Sequence, residues 1–271
     1  LLANLSFSPL AHSDGEKLAP ALYKVTSKTN GHESYFPEMY LARWFKEKLA
    51  EEVPVYCIER TGYLPVANAY EKLLELFSPD ALILIDGGTD SLMRGDEVSL
   101  ATPQEDIVSL GAAAALGLDK SYLVCIGFGV DAYHGICHFQ YLEGVAEIIK
   151  EGGFLGAWSL MKESKEFELF KEALDYTNER MVRHPSIVGT SIKAAVEGEY
   201  GDYHATFRTE GSTLWINPLM SLFWAFRLEA VTKRIMYLDL IKETMRYEEV
   251  CRIIDGFRVR TKCKKWQDLP L

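Results

Sequence analysis

Residues 81–97 read Ala-Leu-Ile-Leu-Ile-Asp-Gly-Gly-Thr-Asp-Ser-Leu-Met-Arg-Gly-Asp-Glu. The first five form a continuous apolar run that stops at Asp86 and breaks into paired glycines, so Ala81 to Ile85 is predicted to be a strand buried on both faces. Upstream, Leu64 to Phe77 sets Val66, Ala69, Tyr70, Leu73, Leu74 and Phe77 on one helical face, and Pro79-Asp80 turns the chain into the strand. Before it, a helix over 38–51 feeds a second apolar strand, Val53 to Ile58. Downstream, Thr102-Pro103-Gln104-Glu105 has Thr at the N-cap, Pro at N1 and Glu at N3, the pattern of a capping box. The helix it opens runs through Ile107, Leu110 and Ala114 to Gly117, and Ser121 to Ile126 is the third apolar strand.

Apolar strands separated by helices predict an α/β fold: an open, mainly parallel sheet flanked by helices. In such sheets ligands sit beyond the carboxyl ends of the strands, which directs attention to the residues after Ile58, Ile85 and Ile126. The C-terminal half is helix-rich. Helices are predicted over 139–151, 163–183 and 185–196, a hairpin over 203–208 and 213–216, a helix from Asn217-Pro218 through Val231, and a last helix over 247–254. The basic and apolar alternation of Phe257 to Lys265 fits an edge strand. We divide the chain into an α/β core, 1–135, and a helix-rich elaboration, 136–271, packed on the same core or forming one domain 1–271 with it.

Composition sets outer limits. With 271 residues, 48% of them hydrophobic, the chain has enough apolar material for a large core, and no apolar run approaches the ~18 residues of a membrane span. Thirty-nine acidic against 29 basic residues, a net charge of −10, argue against a broad nucleic-acid surface. Five scattered cysteines, with no C-x-x-C spacing, fit a reducing, cytoplasmic setting. The segment Leu1 to Leu10 lacks the marks of a secretory signal and alternates as a strand does; together with the absent initiator Met, this gives the expectation that part of the N-terminus is missing.

Two constellations carry the candidate chemistry. After Ile85, the amides of Gly87 and Gly88, the hydroxyls of Thr89 and Ser91 and the Arg94 guanidinium are suited to cradle a phosphate or carboxylate. The carboxylates Asp86, Asp90, Asp96 and Glu97 suit a hard cation such as Mg²⁺, with Asp86 and Asp90 as its ligands, or a ribose hydroxyl pair. A tight turn whose polar residues only cap helices is the plainer alternative. After Ile126 comes Gly127-Phe128-Gly129-Val130-Asp131-Ala132-Tyr133-His134-Gly135, in which Gly127 and Gly129 line the crevice and Asp131 and His134, with Asp90, are the candidate proton-handling groups. As a dinucleotide fingerprint this string is poor, because Ala132 stands at the third glycine position and Asp131 intrudes where a pyrophosphate would lie. Glu59 or Arg60 reaches the same crevice from the neighbouring strand. His138, Gly152-Gly153 and Asn217-Pro218 are read as structural. No nucleophile elbow, zinc-protease pair, P-loop or kinase set occurs.

The strings DGGTDSLMRGDE, TPQEDI, GFGVDAYHG and GGFLG resemble the family catalogued as domain of unknown function 1152. The resemblance implies a Rossmann-like α/β fold without an established activity. Members begin with a GGGGD-like turn after their first strand; this sequence has none, and its opening LLANLSFS matches the segment that follows that turn.

The leading expectation is a cytoplasmic enzyme, of hydrolase or transferase class, binding a small phosphate- or carboxylate-bearing, nucleotide-like metabolite with Mg²⁺, with no nucleic-acid or membrane partner and with homo-oligomers as a further expectation. The alternative is a ligand-binding sensor or scaffold with its interface on the helical half. A dinucleotide-dependent oxidoreductase is a third reading.

Overall fold

The computed structural model describes residues 1–270. Its strands are, in chain order, β1 (Leu2–Ser6), β2 (Glu16–Ala19), β3 (Leu22–Val25), β4 (Val55–Glu59), β5 (Leu82–Asp86), β6 (Ser121–Cys125), β7 (Phe154–Ser159) and β8 (Leu222–Arg227). The helices are α1 (Pro37–Leu49), α2 (Tyr63–Phe77), α3 (Pro103–Ala115), α4 (His138–Lys150), α5 (Lys165–Arg180), α6 (Ile187–Glu197), α7 (Leu228–Thr232), α8 (Leu238–Ile241) and α9 (Tyr247–Arg260). The strands form two four-stranded sheets, β1-β4-β3-β2 and β5-β6-β8-β7. The fold is mixed α/β.

The sheets are not mainly parallel. Only β1 with β4 and β5 with β6 run parallel, and the other four pairings are antiparallel. Two elements account for the difference. Pro20-Ala21 turns β2 directly back into β3, which sequence patterning alone did not signal. The predicted helix after Asn217-Pro218 is a short 3-10 turn followed by β8: Asn217 does cap it, accepting from the Leu219 N–H at 3.0 Å, but Leu222 to Arg227 then pairs with β6 on one side and β7 on the other. A short apolar run is compatible with helix or strand by periodicity, and strand pairing on both sides settles it. The strand β7 starts at Phe154, directly after the Gly152-Gly153 pair.

Other expectations also change. The hairpin over 203–216 is reduced to one bridge between Gly201 and Ile216. The 257–265 tail is not an edge strand, because α9 continues to Arg260 and Arg258 turns inward to donate to the carbonyls of Gly95, Glu97 and Val98. Nor is β5 buried on both faces: Leu82 and Leu84 are half-buried, while Ile83 and Ile85 are 57% and 67% exposed.

One apolar core underlies both sheets. It joins Tyr56 and Ile58 of β4, Leu123 and Cys125 of β6 and Phe226 of β8 to Val66 and Leu73 of α2, Ile107 and Leu110 of α3, Tyr141 of α4 and Ile254 of α9. A second cluster, with Met39 and Trp44 of α1 and Tyr176 of α5, covers the far face of β3 and β4. Among the described residues no helix is long and apolar enough to cross a membrane. The five cysteines are free.

Candidate functional site

β5 and β6 are parallel, so their carboxyl ends lie side by side, and the N-terminus of α3 comes back over them. This brings four carboxylates together. Asp86, the last residue of β5, accepts from the Ser91 hydroxyl (2.6 Å) through Oδ2. Buried Asp90, four residues on, accepts from both the amide and the hydroxyl of Thr102 (3.1 Å each). The capping-box expectation fails for this reason: the Thr102 hydroxyl is directed to Asp90, and no side chain caps α3, although Pro103 keeps its place in the first turn. Buried Asp131, beyond β6, accepts from the Thr89 amide at 2.6 Å and from its hydroxyl at 3.3 Å. Asp106, in the first turn of α3, completes the group with a buried Oδ2 that has no hydrogen-bond partner.

The electrostatics of this group are those of like charges held out of water. Burial first, and then the neighbouring Asp90, push the Asp86 carboxyl up to about 7. Burial raises Asp90 as well, against the hydrogen bonds from Thr102. Asp106 and Asp131 lie well above the ordinary carboxylate range, through burial and then through the other carboxylates of the cluster. Such groups hold protons at neutral pH or wait for a cation.

The glycine turn does not offer an open anion cradle. A Cβ on Gly88 would stand 2.6 Å from Asp131 Oδ2, so glycine there is what lets that carboxylate reach the turn. With the Thr89 amide engaged as well, Asp131 itself occupies the place expected for an external anion. Gly87 is exposed and lies beside Val188 of α6. Arg94 points elsewhere, pairing with Asp96 (2.8 Å) and with Glu147 (3.4 Å). Glu97 is buried as an acceptor for the amides of Arg94 (3.0 Å) and Gly95 (2.8 Å), which shapes the loop. Gly127 and Gly129 have φ of +88° and +93°; the first donates to the Met220 carbonyl, and the second packs against Asn217 and His138. Both shape the turn after β6 without lining the carboxylate group. His134 is exposed at the rim, its ring against that of Tyr133 at 3.8 Å between centroids, and its charge bears on Asp90. Ser91 is the remaining predicted residue inside the cluster, bridging Asp86 and the Cys125 thiol.

Arg94, Arg234, Glu147, Asp96 and Lys264 instead form an ionic clamp behind the loop. The Arg234 side chain is 7% exposed and donates to Glu147 (2.8 Å) and to the Leu92 carbonyl (3.2 Å). We expect Glu147→Ala to lower stability by about 2 kcal/mol, less than a fully buried pair because Glu147 is one-third exposed. Urea unfolding checks this; a change under ~0.5 kcal/mol would show that the clamp contributes nothing.

Two residues of the site were missed in the sequence. Asp106 and Glu105 read as the ordinary acidic bias of a first helical turn. Buried Glu105 instead accepts from Arg60 (3.3 Å) and the Tyr247 hydroxyl (2.9 Å), and the Arg60 guanidinium lies between the rings of Phe7 and Tyr247, at 5.3 and 4.6 Å. Arg60, one residue past β4, thus stands beside the first turn of α3. Nothing local marks this, since Arg60 and Tyr247 are brought together only by the fold.

The model of the family described as "Protein of unknown function (DUF1152)" matches residues 11–267. The chain belongs to the DUF1152 family. No curated protein and no solved structure matches it.

Proposed function

We propose that this DUF1152 chain is an enzyme of small phosphate- or carboxylate-bearing metabolites, nucleotide-like ones included, working at the carboxyl ends of β5 and β6 with a hard divalent cation such as Mg²⁺. One observation carries the reading: Asp86, Asp90, Asp106 and Asp131 converge with raised proton affinities, and Asp106 Oδ2 has no partner. Four carboxylates kept near one another are costly unless a proton or a cation compensates them. An all-oxygen set fits Mg²⁺ or Mn²⁺ in donor chemistry. As the side chains stand, no three acidic, His or Cys residues among the described ones have metal-holding geometry, so binding requires the carboxylates of the cluster to rearrange around the ion. The cation would neutralise the cluster and hold the anionic group of the substrate, a task that Arg94 is not free to perform. Asp86, with a proton affinity near neutrality, is placed to take or give a proton, and His134 stands at the rim for the same work. Hydrolysis or group transfer is the reaction class this arrangement serves, and the parallel β5–β6 pair, with α3 returning over its carboxyl ends, supports a Rossmann-like placement of the ligand.

The test is a thermal-shift and calorimetric titration with Mg²⁺, Mn²⁺, nucleotides and sugar phosphates at pH 8. We expect Mg²⁺ or Mn²⁺ at about 100 times its Kd to add about 2.7 kcal/mol of stability, and Asp106→Asn or Asp86→Asn to abolish the gain. No shift with either cation, alone or with the anions, overturns the proposal.

A further inference from the structure

β2 and β7 each end their sheet, and the two strands meet solvent differently. β2 reads Glu-Lys-Leu-Ala and is followed by Pro20; its two charged residues are exposed, the usual protection of a sheet edge. β7 reads Phe-Leu-Gly-Ala-Trp-Ser, with neither charge nor proline, and Leu155 and Trp158 are 44% and 52% exposed. Ile149 and Met161, exposed at 52% and 58%, flank its two ends. Charges occur only beyond the strand, Lys150 and Glu151 before it and Lys162 and Glu163 after it, so each end carries one of each sign.

The hydrogen bonds between β7 and β8 fix what this edge offers. The Leu160 amide donates to the Ser221 carbonyl at 2.8 Å, and Trp158 and Gly156 stand opposite Phe223 and Ala225 in the same register. In an antiparallel pair alternate residues bond the neighbouring strand. Leu160, Trp158 and Gly156 therefore turn their amides and carbonyls to β8, and Ser159 and Ala157 turn theirs to the open edge. The bulge between Phe154 and Gly156 twists the start of the strand and leaves 156–159 as its regular stretch.

We propose that β7 pairs antiparallel with β7 of a second copy of this chain, around a two-fold axis at Ala157, so that two β5-β6-β8-β7 sheets become one. A ladder requires outward residues to oppose one another, and the register centred on Ala157 satisfies this over the regular stretch. Ala157 exchanges both hydrogen bonds with Ala157 of the second copy, Ser159 lies opposite Leu155, and Trp158 lies opposite Gly156 as a close, non-hydrogen-bonded pair. Trp158 already stacks on Phe223 at 5.6 Å, and a Cβ on Gly156 would meet nothing within 4 Å. The free side of the ring and the open space beside the glycine thus complement each other, a pairing that shields an edge glycine with an aromatic ring. The reversal of direction also brings Lys150 and Glu151 of one copy towards Lys162 and Glu163 of the other. Ends balanced in this way are complementary to themselves, which a two-fold contact demands and a partner of strong net charge would not use. β6 and β8 separate β7 from β5, so the proposal is independent of the carboxylate reading.

The test is sedimentation equilibrium of the full chain from about 1 to 100 μM, with amide exchange followed on the same samples. We expect a species of twice the mass of one chain at the upper concentrations, and exchange at Ala157 and Ser159 slowed about tenfold or more there, while the amides of β2 exchange alike throughout. Ala157→Lys and Ala157→Glu each set like charges against one another at the two-fold axis and should be monomeric. An equimolar mixture of the two should regain the dimer, which requires both variants to be folded and Ala157 to face its own copy. A parent chain still monomeric at about 100 μM overturns the proposal, as does a mass that keeps rising past two copies. So does a dimer whose Ala157 amide exchanges as freely as in the monomer, a single variant that remains dimeric, or a mixture that stays monomeric.

Discussion

Raising the pH from 5 to 8 is expected to destabilise the fold by about 3 kcal/mol or more, the reverse of what most carboxylate-rich proteins show over the same range. The sign follows from the direction of the shifts. In the unfolded chain the four aspartates ionise near 3.9. In the fold, Asp86 keeps its proton up to about 7, and Asp106 and Asp131 are also held well above the ordinary range, so between these limits the folded state binds more protons than the unfolded one. Stability then falls with rising pH by about 1.4 kcal/mol per unit for each such group. Asp86 alone, over pH 5 to 7, accounts for much of this loss. Urea titrations at half-unit pH intervals check this. Asp106→Asn removes one charge from the cluster and should flatten the curve, and Mg²⁺ should restore stability most strongly at the alkaline end. A stability that stays level or climbs between pH 5 and 8 would contradict the burial of these groups together.

Gly62→Ala is expected to cost about 3 kcal/mol, from a position without catalytic character. Gly62 precedes α2 in extended conformation, so alanine is acceptable to its own backbone. The obstacle is elsewhere in the chain. An added Cβ would stand 2.4 Å from the Met245 carbonyl carbon, 2.5 Å from the Arg246 nitrogen and 2.6 Å from the Thr244 oxygen. This contact is also how α2 is capped: no side chain of its own closes its N-terminus, and the Tyr63 and Leu64 amides donate to the Thr244 hydroxyl (2.9 Å) and carbonyl (3.0 Å). Pushing the 244–246 segment away strains the overlap and uncaps the helix together, the upper range of an overpacking change. In a domain of this size the Tm should fall by about 6–12 °C. A variant within ~0.5 kcal/mol of the parent would show that the close approach is relaxed in solution.

How much of this was readable in the sequence differs from element to element. The helices α1, α2, α3 and α5 and the strands β4, β5 and β6 follow from local periodicity, because each buries a face whose spacing is written in the chain. β8 does not: Leu222 to Arg227 is apolar throughout, and its identity as a strand depends on β6 and β7, which flank it. The β2–β3 hairpin is short and half-polar, so no pattern announced it. Within the site, Asp86, Asp90 and Asp131 were legible because residues that follow parallel strands must converge. Asp106 was hidden by a rule that is usually right, that acidic residues favour the first turn of a helix. Arg94 was misjudged because a guanidinium near a glycine turn looks free in sequence, whereas its partner Glu147 lies 53 residues away.

The sequence by itself therefore determined that the chain is α/β and that its polar, aspartate-rich segments follow β5 and β6. These depend on short-range periodicity and on the one topological fact that parallel strands end on the same side. Tertiary structure alone decided the sheet order, the antiparallel majority, the clamp on Arg94, and the choice of Asp131 over an external anion at the Gly88-Thr89 turn. Each of those depends on which distant groups compete for the same hydrogen bonds or the same buried space, and that competition is settled only when the chain has folded.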